Sequence, residues 1–181
     1  MSAGRKKQDS LDRYDTPPDV TRAFLHSWPH MVPMRVWEPA AGKGMMSAAL
    51  IEHFGPFYVI STDVEPRDDA VGRHDFLKDD ALVPKSNLDL IITNPPFNQA
   101  QAFADRALKL SNEGGYVALL LRLAFLESVT RAEWLHANMP EDVYVLSKRP
   151  SFTGKGTDST AYAWFVWRKG ERTDHFEGHI L

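Results

Sequence analysis

The sequence predicts an α/β fold, with a seven-stranded and mainly parallel sheet that carries helices on both faces. One observation on the sequence and one general rule of topology support this prediction. Short apolar runs rich in β-branched residues alternate along the chain with segments of helical periodicity. Strands that alternate with helices are joined by right-handed crossovers, which place helices on both faces of a parallel sheet. A length of 181 residues fits a single domain, which we expect to span residues 13–170 between a flexible basic tail at 1–12 and a C-terminal tail at 171–181.

The first half of the chain is predicted to contain two helices and four strands. A helix over residues 18–28 has apolar residues at helical spacing, and Asp15 or Thr16 is a candidate N-cap before its proline-rich first turn. A loop of small residues separates the first strand from the second helix. The elements after the first helix are a strand at 35–38, a helix at 45–54, and strands at 58–62, 72–74 and 88–93.

The second half continues the alternation. The predicted elements are a helix at 99–111, a strand at 116–121, a helix at 127–138, and strands at 143–146 and 161–167. A long loop at 147–160, which contains Phe152, joins the last two strands. Loops longer than about 12 residues without secondary structure are usually functional or disordered. The aromatic side chain favours a functional role.

The composition excludes several classes of mechanism. The chain has no cysteine, so it has no disulfide, thiolate zinc site or cysteine nucleophile. No apolar run approaches the ~20 residues of a membrane span, and the N-terminus has no apolar signal segment, so we expect a cytoplasmic protein. The seven histidines lack the spacing of metal ligands, and we expect no metal site. A net charge of −3 argues against binding nucleic acid through bulk charge but leaves a local basic surface open.

The most informative stretch is the apolar run 88–93 and the tetrapeptide Asn94-Pro-Pro-Phe97 that follows it. The run is typical of a strand buried on both faces. Neither proline can donate to a β-ladder and each fixes φ, so the backbone after Asn94 is stiff at the carboxyl end of the strand. Ligands of open parallel sheets bind at that end. The alternative is a plain Pro-Pro turn in which Asn94 is only a turn residue.

A glycine loop and two acidic residues are predicted to lie at the same edge of the sheet. Gly42 and Gly44 let the backbone approach a ligand closely, at the start of a helix. The loop is shorter than the dinucleotide pattern, and Glu38 at its head suits a cationic or amine-bearing ligand. Asp63 ends the next strand, where a carboxylate can accept from both hydroxyls of a ribose. Asp75 follows the third strand and suits the exocyclic amine of an adenine.

These motifs resemble those of the class I S-adenosylmethionine-dependent methyltransferases, and within them the amino-methyltransferases that modify adenine in nucleic acid. The resemblance covers residues 14–167 and implies a Rossmann-like class I methyltransferase fold with S-adenosyl-L-methionine as the cofactor. The residues that it assigns to cofactor binding are Tyr14, Thr16, Glu38, Ala40, Gly42, Gly44, Asp63, Asp75, Phe76 and Asn94.

The resemblance also implies a catalytic tetrapeptide, formed by Asn94, Pro95, Pro96 and Phe97. The lone pair of an adenine amine is delocalised into the ring, so the amine is a poor nucleophile. If the side-chain oxygen of Asn94 and the carbonyl of Pro95 accept hydrogen bonds from it, the nitrogen is drawn toward tetrahedral geometry and becomes reactive. Preorganised dipoles and alignment each contribute several kcal/mol to such a reaction.

Aromatic and basic residues complete the predicted substrate site. Phe97 and Phe152 are candidates to stack on a base that is flipped out of a duplex. Arg149 and Lys155 belong to a basic cluster, for which an ordinary solvated surface is the alternative. The substrate-binding residues that we predict are therefore Phe97, Arg149, Phe152 and Lys155.

The predicted function is methyl transfer to the exocyclic N6 amine of adenine, and DNA is favoured over RNA as the polymer that contains this adenine. The alternatives are methylation of an adenine or guanine amine in RNA, methylation of a protein glutamine amide, and cofactor binding without turnover. DNA-modifying members of the family often carry a separate target-recognition domain, for which this chain has no room. We therefore expect low sequence specificity, or recognition through the long loop, the basic tail, a partner or a homo-oligomer.

Overall fold

The computed structural model describes residues 14–29, 35–78, 83, 88–152 and 159–181. The predicted basic tail at 1–12, and Lys155 with part of the long loop, lie outside the described residues. The strands of the described chain are β1 (Val36–Glu38), β2 (Val59–Asp63), β3 (Gly72–Arg73), β4 (Leu90–Thr93), β5 (Tyr116–Arg122), β6 (Asp142–Val145), β7 (Tyr162–Arg168) and β8 (Glu177–Ile180).

These strands form one eight-stranded sheet in the order β3-β2-β1-β4-β5-β7-β6-β8. The pairings of β1 with β2, β1 with β4, β2 with β3, β4 with β5 and β6 with β8 are parallel. The pairings of β7 with β5 and with β6 are antiparallel. The prediction of a mainly parallel sheet is confirmed. The carboxyl ends of β1, β2 and β4 meet at one edge, because the three strands are parallel neighbours.

Helices cover both faces of the sheet, as predicted. The α-helices are α1 (Pro18–Ser27), α2 (Met45–Phe54), α3 (Ala100–Leu110) and α4 (Ala132–Ala137). Phe24 of α1 and Leu50 of α2 are buried in one hydrophobic cluster with Leu90 of β4. Phe103 of α3 lies in a second cluster with Ile91, the next residue of β4. Successive side chains of a strand point to opposite faces, so the two clusters are the two layers of the core.

Strand β4 lies at the centre of this arrangement and is enclosed on both faces and both sides. All four of its residues are buried, and it is paired on both sides, by β1 and β5. This matches the continuous apolar run that predicted a strand buried on both faces. The strand ends at Thr93, so Asn94 is the first residue beyond the ladder.

Three details differ from the sequence predictions. The sheet has eight strands and not seven, because residues 177–180, assigned to a C-terminal tail, form β8 and pair with β6. The helix predicted at 127–138 is a 3₁₀ turn (Val129–Arg131) followed by the short α4. Neither Asp15 nor Thr16 caps α1: its N-cap position is Pro17, and no side chain makes the capping hydrogen bond. Among the described residues, no helix has the length and apolar character needed to cross a membrane.

Candidate functional site

One pocket at the carboxyl ends of β1, β2 and β4 brings together most of the residues that the sequence singled out. Between them, these residues come from the segment before α1, the glycine loop, two strand ends and the tetrapeptide. The predicted residues that line the pocket are Tyr14, Thr16, Glu38, Ala40, Gly42, Asp63, Asp75, Phe76, Asn94, Pro95 and Pro96. Segments far apart in the chain meet here because parallel neighbouring strands end at the same edge.

The glycine loop is shaped by two residues in the left-handed region. Gly42 has φ of 55° and Gly44 has φ of 72°, a range that favours glycine. A Cβ atom on Gly42 would lie 2.7 Å from Nη2 of Arg67, the mobile end of a long side chain, so the positive φ more than this contact favours glycine there. Gly44 is the residue before the first turn of α2 and is not part of the pocket lining. Only Gly42 is therefore placed for the close approach that was predicted for both.

Glu38 is a buried acid without a positive partner in the contacts of the described residues. Its side chain is only 2% exposed, and Ser47 Oγ donates a hydrogen bond to its Oε2. Burial raises the pKa of Glu38 from 4.5 to about 8, because desolvation of the charged form outweighs the hydrogen bond from Ser47, and the charge of Asp63 adds to the rise. The carboxyl group is therefore neutral at pH 7. A positive charge that entered the pocket would favour its ionised form.

The two strand-end acids are held by main-chain donors. Asp63 Oδ2 accepts from the Gly42 N–H at 2.8 Å, and Oδ1 accepts from the Glu65 N–H at 2.8 Å. Asp75 Oδ1 accepts from the Leu77 N–H at 3.2 Å. A carboxylate oxygen has more than one lone pair, so each acid retains acceptor capacity for a ligand. Asp63 also ties the glycine loop to the end of β2, a structural role that the sequence did not indicate.

The amide of Asn94 has a defined orientation. Its Nδ2 donates to Thr16 Oγ1 at 3.0 Å and to the Tyr14 carbonyl at 3.3 Å. A main-chain carbonyl can only accept, so the NH₂ group must lie on that side. Asn94 Oδ1 is buried and has no hydrogen-bond partner among the described residues. A buried acceptor without a donor costs about 1–3 kcal/mol, a cost that a ligand N–H would remove.

Four aromatic rings cluster beside Asn94. Tyr14 stacks on Phe97 with ring centroids 5.6 Å apart and an interplanar angle of 28°. Phe152 lies 5.5 Å from Tyr14 and 5.0 Å from Tyr162, which itself lies 5.5 Å from Phe97. The guanidinium carbon of Arg122 lies 4.4 Å from the centroid of Phe97. The two phenylalanines that were predicted to stack on a base thus belong to one group of rings.

Among the described residues predicted to bind substrate, Phe97, Phe152 and Arg149 do not line this pocket. The two phenylalanines lie in the aromatic group that contacts Tyr14. Arg149 is exposed and lines a separate groove, which includes Val20 of α1 and Leu181. Lys155 lies outside the described residues. Their assignment to substrate binding stays a prediction.

Several residues around the site were missed in the sequence. Asp15 lines the pocket and pairs with Arg67 at 2.5 Å and with Lys43 at 3.2 Å. No sequence pattern links Asp15 to Arg67, since the pair joins loops that are 52 residues apart. The position of Arg122 near the site could have been predicted from the sequence. It is the first charged residue after the apolar run of β5, and β5 neighbours β4.

One other group of side chains resembles a cation site in composition. Ligand atoms of Asp142, Glu177 and His179 all lie within 4.8 Å of one another, on β6 and β8. His179 Nε2 lies 2.8 Å from Asp142 Oδ1, so these two side chains form a hydrogen bond between the strands. None of the three lines the pocket described above. The expectation that the protein has no metal site stays a prediction.

The sequence matches no protein-family model and no curated protein. Solved structures do match. A protein described as a class I S-adenosylmethionine-dependent methyltransferase from Listeria monocytogenes aligns over 97% of this chain and 68% of its own, with a TM-score of 0.69 and 14% identity. The methyltransferase subunit of a type I restriction-modification system from Streptococcus thermophilus aligns over 95% of this chain, with a TM-score of 0.72 and 13% identity. This chain spans 48% of that subunit.

A third similar structure is closer to this chain in length than the first two, and its description names RNA. It is a protein described as an RNA methyltransferase from Pyrococcus horikoshii, which aligns over 90% of both chains with a TM-score of 0.63 and 18% identity. At identities this low, the TM-scores establish likeness in the arrangement of strands and helices alone. Together with the strand order and the pocket at the carboxyl ends of β1, β2 and β4, they show that this chain has the fold of the class I S-adenosylmethionine-dependent methyltransferases.

Proposed function

We propose that this protein transfers a methyl group from S-adenosyl-L-methionine to the exocyclic N6 amine of adenine in DNA. The observation that carries the proposal is Asn94 Oδ1, a buried acceptor without a hydrogen-bond partner among the described residues, in a side chain that lines the pocket. Because Nδ2 is already bonded to Tyr14 and Thr16, the oxygen is the part of the amide left for a ligand. An amine is the kind of donor that this oxygen requires.

The chemistry of the pocket fits the proposed cofactor. S-adenosyl-L-methionine would supply an electrophilic methyl group on a positively charged sulfonium. Glu38 is a neutral acid that a nearby cation would ionise, so it provides a negative charge only when a cationic ligand is present. Asp63 and Asp75 offer carboxylate oxygens for hydroxyl and amine donors. Tyr14, Gly42 and Phe76 complete the surface that we assign to the cofactor, and Thr16 lines the same pocket with its hydroxyl bonded to Asn94.

In the proposed mechanism, Asn94 acts on the nucleophile and not on the leaving group. Its Oδ1 accepts a hydrogen bond from the adenine amine, which draws the nitrogen lone pair out of conjugation with the ring. The carbonyl of Pro95 is the second acceptor that we assign to the same amine. The nitrogen would bond to the methyl carbon as the bond between that carbon and the sulfonium sulfur breaks, which would leave a neutral thioether, and the methylated amine would then release one proton to solvent. Since the proton leaves after transfer, no strong base is needed, which suits a site built on an amide and a main-chain carbonyl.

The aromatic cluster supports a planar substrate. Phe97 and Phe152 belong to one group of rings beside Asn94, and stacking of a base on an aromatic side chain contributes about 1–3 kcal/mol. The description of the Streptococcus subunit favours DNA, and that of the Pyrococcus protein favours RNA. This chain spans 48% of the restriction-modification subunit. We propose that a partner or a second copy helps to select the target.

Mass spectrometry of nucleosides from the nucleic acids and of peptides from the protein extract tests the proposal. Purified protein and isotopically labelled cofactor are incubated in parallel with unmethylated DNA, total RNA and a mixed protein extract. We expect labelled N6-methyladenine in the DNA and no comparable label elsewhere. Label in RNA or in glutamine would retain the methyltransferase activity but overturn the DNA assignment. Cofactor binding without label in any polymer would favour a binding protein without turnover.

Arg122 is expected to contribute to nucleic-acid binding. Its side chain is exposed and lies against Phe97, so it can reach a phosphate near a stacked base. Arg122→Ala should raise the KM for DNA about 5- to 20-fold and reduce the salt dependence of binding by about one phosphate contact. Arg172→Ala, at an exposed arginine outside the pocket lining, is the matched control. Equal salt dependence in both variants would contradict this role.

A further inference from the structure

The segment Tyr14–Thr16 crosses the edge of the pocket and makes three kinds of contact with it. The ring of Tyr14 stacks on Phe97. The carboxylate of Asp15 pairs with basic residues of the loops behind it. Thr16 is 4% exposed, and its hydroxyl oxygen accepts from Asn94. Three consecutive residues thus each contact a different part of the proposed site.

We propose that Tyr14–Thr16 is a positioning element for the proposed reaction, which holds the amide of Asn94 with its oxygen available to the substrate amine. This inference rests on the proposed function. Both hydrogens of Asn94 Nδ2 have an acceptor in the segment, the Thr16 hydroxyl at 3.0 Å and the Tyr14 carbonyl at 3.3 Å. The opposite orientation would place Oδ1 against the Tyr14 carbonyl, where two acceptors face each other without a hydrogen.

The orientation matters because an amide has one accepting end and one donating end. With the NH₂ group turned toward the substrate, Asn94 would offer two N–H donors to an amine that also donates. The amine would lose the acceptor that makes its nitrogen nucleophilic. Since the two orientations have nearly the same shape, packing alone distinguishes them poorly. The Tyr14 carbonyl, which can only accept, therefore selects the competent orientation, and the Thr16 hydroxyl accepts a second hydrogen bond from the same NH₂ group and holds it there.

The segment itself is anchored by charge. Asp15 is bound by Arg67 at 2.5 Å and Lys43 at 3.2 Å, and its side chain is only 19% exposed. The main-chain N–H of Arg67 donates to the Gly42 carbonyl at 3.0 Å, which fixes the arginine over the glycine loop. The position of Thr16 is therefore coupled to the loop that we assign to the cofactor, and Asn94 is coupled to it through Thr16.

Two variants of Thr16 separate a positioning role from a cofactor-binding role. Thr16→Val keeps the shape and removes the acceptor, and Thr16→Ser keeps the hydroxyl. We expect Thr16→Val to lower the single-turnover rate of methyl transfer about tenfold, the change that corresponds to one hydrogen bond of a buried polar group. Thr16→Ser should stay within about threefold of the unmodified protein, and the Kd for the cofactor should change by less than about threefold in both. Equal rates for the two variants, or a Kd that rises as much as the rate falls, would overturn the inference.

A second measurement needs neither turnover nor a variant of Thr16. In protein labelled with ¹⁵N-asparagine, the side-chain NH₂ of Asn94 should exchange with water at least about tenfold more slowly than that of exposed Asn98, because it makes two hydrogen bonds and is half-buried. The resonances of Asn94 are assigned by their absence in Asn94→Ala. Exchange as fast as that of Asn98 would refute the positioning role, even if Thr16→Val does not fold.

The two measurements also separate this inference from the proposed function. If no polymer is methylated, the proposed function fails, and the exchange experiment still decides whether the amide is held. If adenine is methylated but Asn94 exchanges freely, the function stands and the positioning role fails.

Discussion

Replacing Asn94 with alanine is expected to lower the rate constant for methyl transfer by about 100- to 1,000-fold, the usual effect of removing one preorganised polar group from a reacting centre. The amide oxygen is the acceptor that we assign to the substrate amine, and it is buried and unpaired among the described residues. The backbone should not change, because the residue follows β4, which is paired on both sides. The Kd for S-adenosyl-L-methionine should therefore remain within a few-fold.

The matched control for this variant is Asn98→Ala. Asn98 has the same side chain, lies four residues further along in the 3₁₀ turn Phe97–Gln99, and is exposed. Single-turnover transfer of labelled methyl to DNA and calorimetric binding of the cofactor measure the two effects separately. A protein that binds cofactor but transfers no methyl in its unmodified form has no rate to lose, which would identify a binding protein. Full activity in Asn94→Ala would contradict the mechanism.

Replacing Glu38 with glutamine is expected to stabilise the protein above neutral pH while it weakens cofactor binding. In the folded protein the pKa of Glu38 is about 8, whereas a free glutamate titrates near 4.5. Between these values the folded state holds a proton that the unfolded state releases. The free energy of unfolding therefore receives its full contribution from Glu38 below pH 4.5 and loses it progressively as the pH rises to about 8. Glutamine does not titrate, so the variant avoids this loss.

The size of the effect follows from the shift in pKa. The difference in free energy of unfolding between Glu38→Gln and the unmodified protein should grow by an amount on the order of 4 kcal/mol between pH 4.5 and pH 8.5. Urea denaturation at several pH values measures it. Glu52→Gln is the control, because Glu52 is an exposed acid whose ion pair with Arg22 is worth little. A pH-independent difference for Glu38→Gln would show that Glu38 does not titrate as a buried neutral acid.

The affinity for the cofactor should depend on pH in the opposite direction to the stability of the protein. A positive ligand favours the ionised form of Glu38, so binding near pH 7 releases a proton. The affinity should then rise by up to about tenfold per pH unit as the pH approaches 8, and level off above it. Calorimetry in buffers of different ionisation enthalpy counts the protons released. For Glu38→Gln at pH 8.5 we expect a cofactor Kd at least about tenfold higher than that of the unmodified protein, and no proton release linked to this residue.

The fold could be predicted because its central elements have patterns of apolar residues that the sequence itself shows. The apolar run of β4 and the helical spacing in α1 reflect burial of the kind that sequence periodicity detects. Strand β8 was missed because it lies at the edge of the sheet, where most of its side chains are exposed and no apolar alternation is required.

The part of the candidate site that lies at strand ends could also be predicted, because the topology of the sheet determines where strands end. Residues at strand ends, such as Asp63 and Asn94, can be placed at one edge from the topology alone. Contacts between loops cannot, so the pairing of Asp15 with Arg67 was not foreseen. The same holds for the assignment of Thr16, whose hydroxyl bonds to Asn94 and not to the end of its own helix.

The enclosure of β4 has a consequence for the dynamics of the site. Its main-chain amides are covered on both faces and paired on both sides, so they should exchange with deuterium only when the whole domain unfolds. Tyr14–Thr16 holds the amide of Asn94 through the Thr16 hydroxyl and the Tyr14 carbonyl. The position of Asn94 therefore depends on β4, whereas its orientation depends on a segment about 80 residues earlier in the chain, so variants of Tyr14–Thr16 should change the orientation without moving the residue.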